Sequence, residues 1–272
     1  MKINNLSDLL QYTFFQNALI GISLLAVISG VIGTYVVVRR MVFVAGGITH
    51  TSFGGLGIGI CLGVNPIASA FVFSLCSAIG VEWFSQKHKV REDSAIAVFW
   101  SLGMAIGIIA IFLTPGYAPN LASFLFGNIL TISSVDLLWM ALLADVTLLF
   151  FIFFYYDILY VALDREFACT KGIAVKALEY GVMALTAAAI VLSIRMVGVM
   201  LLLSLFTIPQ MTASVFTSRY FRVVVGSAVV ALLGGVMGLT LSALLDVPSG
   251  ACIVLVLTAI YIVAKTIKGL FF

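Results

Sequence analysis

Apolar residues run along this chain in blocks of about 20, each closed by a short polar or glycine-containing break. About 20 residues at 1.5 Å rise cover the roughly 30 Å hydrocarbon core of a bilayer as one helix. Nine such blocks can be laid out, at residues 17–38, 41–63, 67–84, 93–113, 135–155, 179–197, 198–216, 223–245 and 251–264. Arg39 and Arg40 stop the first, and Asn65-Pro66 turns the chain between the second and third. Residues 86–91 form a short basic loop containing Lys87, His88, Lys89 and Arg91. Residues 114–134, with two prolines, suit a surface loop with a short interfacial helix. No loop separates the sixth block from the seventh, and Pro209 removes a backbone donor inside the seventh. A broken helix is expected near Pro209, so eight or nine crossings fit the pattern. The predicted fold is an all-α polytopic membrane bundle over residues 1–272, with nothing to divide it into separate domains.

Composition removes the soluble alternatives. Hydrophobic residues make up 63% of the chain, charged residues 9%, and the mean hydropathy is +1.24. Soluble domains run near 45–50% apolar and about 25% charged, so the excess here must face lipid. The net charge of +3 gives no reason to expect nucleic acid. Cys61, Cys76, Cys169 and Cys252 are scattered without a CxxC pair, which argues against a zinc cluster or disulfide framework. No cleavable signal peptide is expected, because residues 1–13 are polar with one lysine and lead into a block of spanning length.

Charge placement then orients the bundle. Short loops rich in lysine and arginine stay cytoplasmic. With Arg39 and Arg40 inside, alternation also puts Lys87, Lys89, Arg91, Arg165, Lys171, Lys176, Arg219, Arg222, Lys265 and Lys268 inside. Only Lys2 and Arg195 fall elsewhere. The expectation is an N-terminus outside and a C-terminus in the cytoplasm of a bacterial inner membrane. Small residues also recur every four positions: Thr51, Gly55, Gly59 and Gly63 in the second block, Gly103 and Gly107 in the fourth, Gly234 and Gly238 in the eighth. Such stripes let helix backbones approach closely in lipid, so the second block is expected in the interior.

Polar groups at membrane depth are the candidates for chemistry. His50 sits mid-block with Thr49 beside it, and a neutral imidazole is a common transition-metal ligand. A ring bonded to a neighbouring helix explains it as well. Asp145 sits near the middle of the fifth block, where it lines a cation path or pairs with Arg195. Gln210 and Met211 follow Pro209, whose missing amide frees a carbonyl as in the interrupted helices of transporters. Outside the blocks, Asp164, Arg165, Glu166, Phe167, Ala168 and the closing Gly172 suit a short amphipathic helix. It is read as a docking helix for a soluble partner, with a solvated connector as the plainer reading. The chain has no GxxxxGK[ST] phosphate loop, so ATP-driven action requires a separate motor subunit.

Several stretches together resemble the membrane permease subunit of zinc/manganese-type ABC importers, from Arg39 to about Val256. Arg39-Arg40-Met41-Val42-Phe43, Thr49-His50, Phe53 and Gly63-Val64-Asn65-Pro66 look like that family's opening motif. Glu92-Asp93-Ser94-Ala95-Ile96 resembles its acidic start to the fourth span, and Leu125-Phe126-Gly127-Asn128-Ile129-Leu130 its outer-loop signature. Val161 to Ala168 is similar to the segment with its coupling helix, and Val197-Gly198-Val199, Ile208-Pro209 and Pro248-Ser249-Gly250-Ala251 complete the series. One position departs: Gly46 stands where the family commonly has an aspartate four residues before the histidine.

The resemblance implies a homodimer with a path near its two-fold axis, a cytoplasmic ABC ATPase, and an extracytoplasmic metal-binding protein that delivers the ion. It implies import of a divalent transition metal (zinc, manganese or iron) as cargo, with no tightly bound cofactor and no enzymatic chemistry in this chain. Residues 164–172 would transmit the ATPase's motion. An ion-gradient-driven secondary transporter, with Asp145 or His50 as coupling group, is the first rival. A membrane-embedded enzyme is the second, disfavoured by having two histidines and few acids.

Overall fold

The computed structural model describes residues 11–88, 91–114, 127, 129 and 132–271. The expected surface loop with its interfacial helix, and most of the 125–130 motif, lie outside the described residues. The described residues form eleven helices and no strand. They are α1 (13–38), α2 (Val42–Leu62), α3 (Pro66–His88), α4 (Glu92–Phe112), α5 (Ser134–Phe153), α6 (Tyr155–Leu163), α7 (Arg165–Thr170), α8 (Val175–Leu205), α9 (Ile208–Phe216), α10 (Tyr220–Leu245) and α11 (Ser249–Phe271).

The connections follow local chemistry. Gly63 closes α2 in the left-handed conformation at φ 67°, and the Val64 amide reaches back to the Gly59 carbonyl. This is a C-terminal cap that glycine adopts without Cβ strain. Asn65 then accepts hydrogen bonds from the amides of Ile67 at 3.0 Å and Ala68 at 3.3 Å, with Pro66 opening α3. An asparagine cap followed by proline is a favoured helix start. Ser133 and Asp136 cap each other reciprocally at the start of α5. The long helices therefore run back and forth between two ends. One end carries Arg39, Arg165, Arg219 and Lys268; the other carries Asn65, Ser133 and Val247.

Seven segments among the described residues are long and apolar enough to cross a bilayer: Thr13–Val38, Ser94–Phe112, Ser134–Phe153, Val175–Ile194, Met196–Phe216, Tyr220–Leu245 and Ser249–Leu270. Lipid-facing side chains such as Phe112, Phe153 and Leu255 stand well out of the surface. α2 is not among the seven, and α3 contributes only the shorter stretch Pro66–Val81. The reason is packing. α2 is clamped between α3 and α4, so it needs little apolar surface of its own. A Cβ at Gly54 would meet the Gly103 carbonyl at 2.7 Å, and one at Gly57 the Gly107 carbonyl at 2.5 Å. On the other side, a Cβ at Gly55 would meet Ala70 at 2.6 Å and one at Gly59 would meet Pro66 at 2.7 Å. The α2 helix takes the interior position expected from its glycine stripe, and Gly103 and Gly107 of α4 are its counterparts.

The sixth and seventh blocks join without a loop, as the sequence pattern has it, and the join is Gly198. Its φ of 74° and ψ of 168° interrupt α8. The chain reverses there. Glu179 lies beside Arg39 at the end of α1. Met196 lies 3.1 Å from where a Cβ of Gly21 would sit, near the start of α1, and the Phe206 carbonyl is again beside Gly33 in its last third. The seventh segment is broken once more at Phe206–Thr207, where Thr207 leaves helical geometry (φ −130°, ψ −54°), and Pro209 falls in the first turn of α9. This is the break expected near Pro209. Several helix bounds run further than the blocks did: α1 begins at Thr13, α3 continues to His88, α8 begins at Val175, α10 begins at Tyr220 and α11 reaches Phe271.

Candidate functional site

Two regions carry the residues singled out from sequence. The first is at membrane depth. His50 is half-buried on α2, with its ring stacked on Trp100 of α4 at 4.0 Å between centroids and 10° between planes. Stacking fixes the ring plane while leaving both nitrogens at the edge. Gly46 lies one turn earlier on the same helix, and a Cβ there would meet only the Leu203 side chain, at 3.9 Å. Thr49 is fully buried, and its hydroxyl donates to the Ala45 carbonyl of its own helix at 2.7 Å. Thr51 and Ser52 bond back to Ile48 and Thr49 in the same way. These three hydroxyls of α2 are thus met within α2.

Asp145 lies mid-way along α5 on an outward face shared with Leu138, Leu142, Val146 and Leu149. The Arg195 side chain proposed to pair with it lies outside the described residues. Gln210 is fully buried and donates from Nε2 to the Ser29 carbonyl at 2.6 Å. That carbonyl belongs to a π-bulge in α1, Ser29–Gly33, where the helix is wider by one residue per turn. Gly33 leaves the room that Gln210 fills. Met211 is exposed on α9. Among the described residues no three His, Cys, Asp or Glu side chains are grouped closely enough to hold a metal ion.

The second region is the basic end. The helix expected within residues 164–172 is α7, Arg165–Thr170. Asp164 caps it by accepting from the amides of Glu166 and Phe167, both at 3.0 Å, and Gly172 (φ 77°) ends the turn after it. Ala168 faces inward and is fully buried. Phe167 is 43% exposed, its ring against Tyr160 at 5.7 Å and under the Lys171 ammonium at 5.5 Å. Glu166 points out with it. Arg165 turns the other way. Its Nε donates to Oε1 of Glu179 at 3.0 Å and its Nη2 to Oε2 at 3.3 Å. The same Glu179 oxygen accepts from Nη2 of Arg39 at 2.8 Å, while Nη1 of Arg39 donates to the Val161 carbonyl of α6 at 3.2 Å. Glu179 is 9% exposed. In the hydropathy pattern it marks only the start of the sixth block. An acid one turn into a spanning helix, at the end where the arginines gather, was the signal available.

The residues from 11 to 268 match the family model described as the ABC 3 transport family. The chain belongs to that family. It is 35% identical over 259 residues to an uncharacterized membrane protein of Synechocystis sp., covering 95% of this chain and 92% of that one. It is 30% identical, at the same coverage, to the manganese transport system membrane protein MntC of Listeria monocytogenes. Among solved structures, PsaBC from Streptococcus pneumoniae in complex with Fab superposes with a TM-score of 0.85 at 26% identity, covering 95% of this chain and 93% of that chain. The resemblance drawn from the motifs is thus borne out, and the all-α polytopic membrane fold with it.

Proposed function

We propose that this chain is the permease subunit of an ATP-driven importer of a divalent transition metal, with manganese as the favoured cargo. The observation that carries the reading is family membership over nearly the full length, joined to relatives named as manganese transport proteins. The chain acts as one permease domain. Two copies form a homodimer whose path runs near the two-fold axis, lined by His50 from each copy. An extracytoplasmic protein delivers the ion, and an ABC ATPase on the cytoplasmic side drives alternating access. The exposed Phe167 and Glu166 face of α7 supports docking to that ATPase, since a binding helix needs a few well-placed anchors. The basic end lies in the cytoplasm and the Asn65 end outside, as the positive-inside rule supports.

The test is uptake of Mn2+, Zn2+ and Fe2+ in cells with and without the chain. Mn2+ uptake should fall on deletion and return with the wild-type gene. Uptake of all three metals unchanged by deletion would overturn the reading. His50→Ala is expected to lower uptake with expression and complex assembly intact, whereas wild-type uptake in that variant would return His50 to a packing role against Trp100. Orientation has its own check, in a background lacking the native cysteines. Cysteine at Val247 should react with an impermeant thiol reagent in intact cells and cysteine at Lys171 should not.

A further inference from the structure

Glu179 ties three elements together at the basic end. Its carboxylate takes Arg165 from α7, Arg39 from the end of α1, and itself sits one turn into α8. A carboxylate this buried needs its charge met, and two guanidiniums in fixed fork geometry meet it directionally. The elements joined lead to both halves of the membrane-depth region. α1 carries the Ser29–Gly33 bulge that holds Gln210, and so α9. α8 runs to the Gly198 reversal and returns through Leu203, the side chain nearest Gly46 on the His50 helix. α7 is held by buried Ala168 and by the Arg165–Glu179 pair, while Phe167 and Glu166 face out.

We propose that Glu179 is a positioning residue that couples the docking helix α7 to α1 and α8, so that a displacement of α7 is passed to both arms rather than absorbed in the 171–174 turn. The idea rests on the permease reading above. Glu179 touches no cargo. It acts through the two arginines, which makes its role separable from metal binding and from ATPase docking.

The test uses the complete transporter: this chain with its ATPase and metal-binding protein in proteoliposomes, with Mn2+ as the probe. Glu179→Gln keeps the shape and one acceptor but removes the charge. The complex is expected to assemble and hydrolyse ATP, while Mn2+ moved per ATP falls roughly 2- to 30-fold, the range seen when residues along a coupling route are changed. Arg165→Gln should move the same ratio in the same direction. Arg165 has 42% of its side chain exposed, so this variant should leave the melting temperature and ATPase co-purification unchanged. A packing role alone would lower the melting temperature of Glu179→Gln and leave the transport ratio of Arg165→Gln at the wild-type value; that result overturns the proposal. If Glu179→Gln fails to assemble, the Arg165→Gln ratio decides alone. A wild-type complex that moves no Mn2+ on ATP overturns the permease reading itself, so the two failures are told apart.

Discussion

The membrane-depth region and the basic end spend their polar groups in opposite ways. At membrane depth the hydroxyls of Thr49, Thr51 and Ser52 are met within their own helix, Gln210 is tied to a neighbouring backbone, and His50 and Asp145 stand at edges of the chain. None of them is brought to another. At the basic end one carboxylate on α8 gathers two arginines, Arg39 at the end of α1 and Arg165 of α7, within 3.3 Å. The difference is one of reference state. In hydrocarbon an unmet polar group is expensive, so these hydroxyls turn to their own backbone, and of the Gln210 amide only the Oε1 oxygen is left without a partner. Near the interface, long arginines reach sideways to cross-link helices while their stems stay in apolar surroundings. A single copy therefore completes the ion pairs of its basic end, whereas its membrane-depth polar groups are not brought together.

That contrast can be broken most sharply at the docking face. Phe167→Asp places a charge where the ATPase should close over the ring, on the outer side of α7 and away from Ala168. Burying an unpaired charge costs about 3–5 kcal/mol. ATPase co-purification should be lost while the permease keeps its own melting temperature, measured in detergent. Retained partner binding would make α7 a plain connector and remove the asymmetry between the two regions.

A smaller effect is expected at the Gly198 reversal. Alanine there must hold φ 74° and ψ 168°, a region closed to residues with a Cβ, and Gly127 packs against the same backbone. The strain is about 1–3 kcal/mol. Gly198→Ala should lower the melting temperature, and an unchanged value would mean the turn has another conformation. Next comes Gln210→Leu, which removes the donor to Ser29 and leaves the bulge carbonyl unmet, at about 1–3 kcal/mol. Loss of stability without change in metal selectivity would confirm that Gln210 locks α9 to α1; altered selectivity would put it on the path. The mildest change is Gly46→Asp. The space above Gly46 admits a side chain, with Leu203 the nearest group. Adding a hard oxygen donor one turn from His50 favours manganese over softer ions. Competition of Zn2+ against Mn2+ uptake should weaken, and an unchanged competition profile would separate position 46 from ion selection.

Most of the bundle was legible because lipid imposes one rule on every span: about 20 apolar residues with breaks between them. Interior α2 was legible for a different reason, its glycine stripe, since its hydropathy is lowered by the very residues that bury it. The α7 stop could be read from Gly172 because capping is local chemistry, while the Asp164 cap appears only in the structure, where Asp164 stands just outside the helix. What escaped was non-local or conformational. The π-bulge at Ser29–Gly33 shows itself only when Gln210, 181 positions later, is seen against it. Helix α6, which runs past the end of the fifth block, follows from packing of Ile158 and Val161, both fully buried, rather than from span length. Glu179 escaped because a charge near a block boundary reads as an end marker until its partners, 14 and 140 positions away, are in place.

The central claim is that metal crosses this chain on ATP hydrolysed by a partner. The direct measurement is Mn2+ entry into proteoliposomes holding the chain with its ATPase and binding protein, with ATP, a non-hydrolysable analogue, or a proton gradient as the only energy source. Uptake with ATP alone, abolished by the analogue and by omitting the ATPase, is the predicted result. Uptake driven by the proton gradient without the ATPase would contradict it.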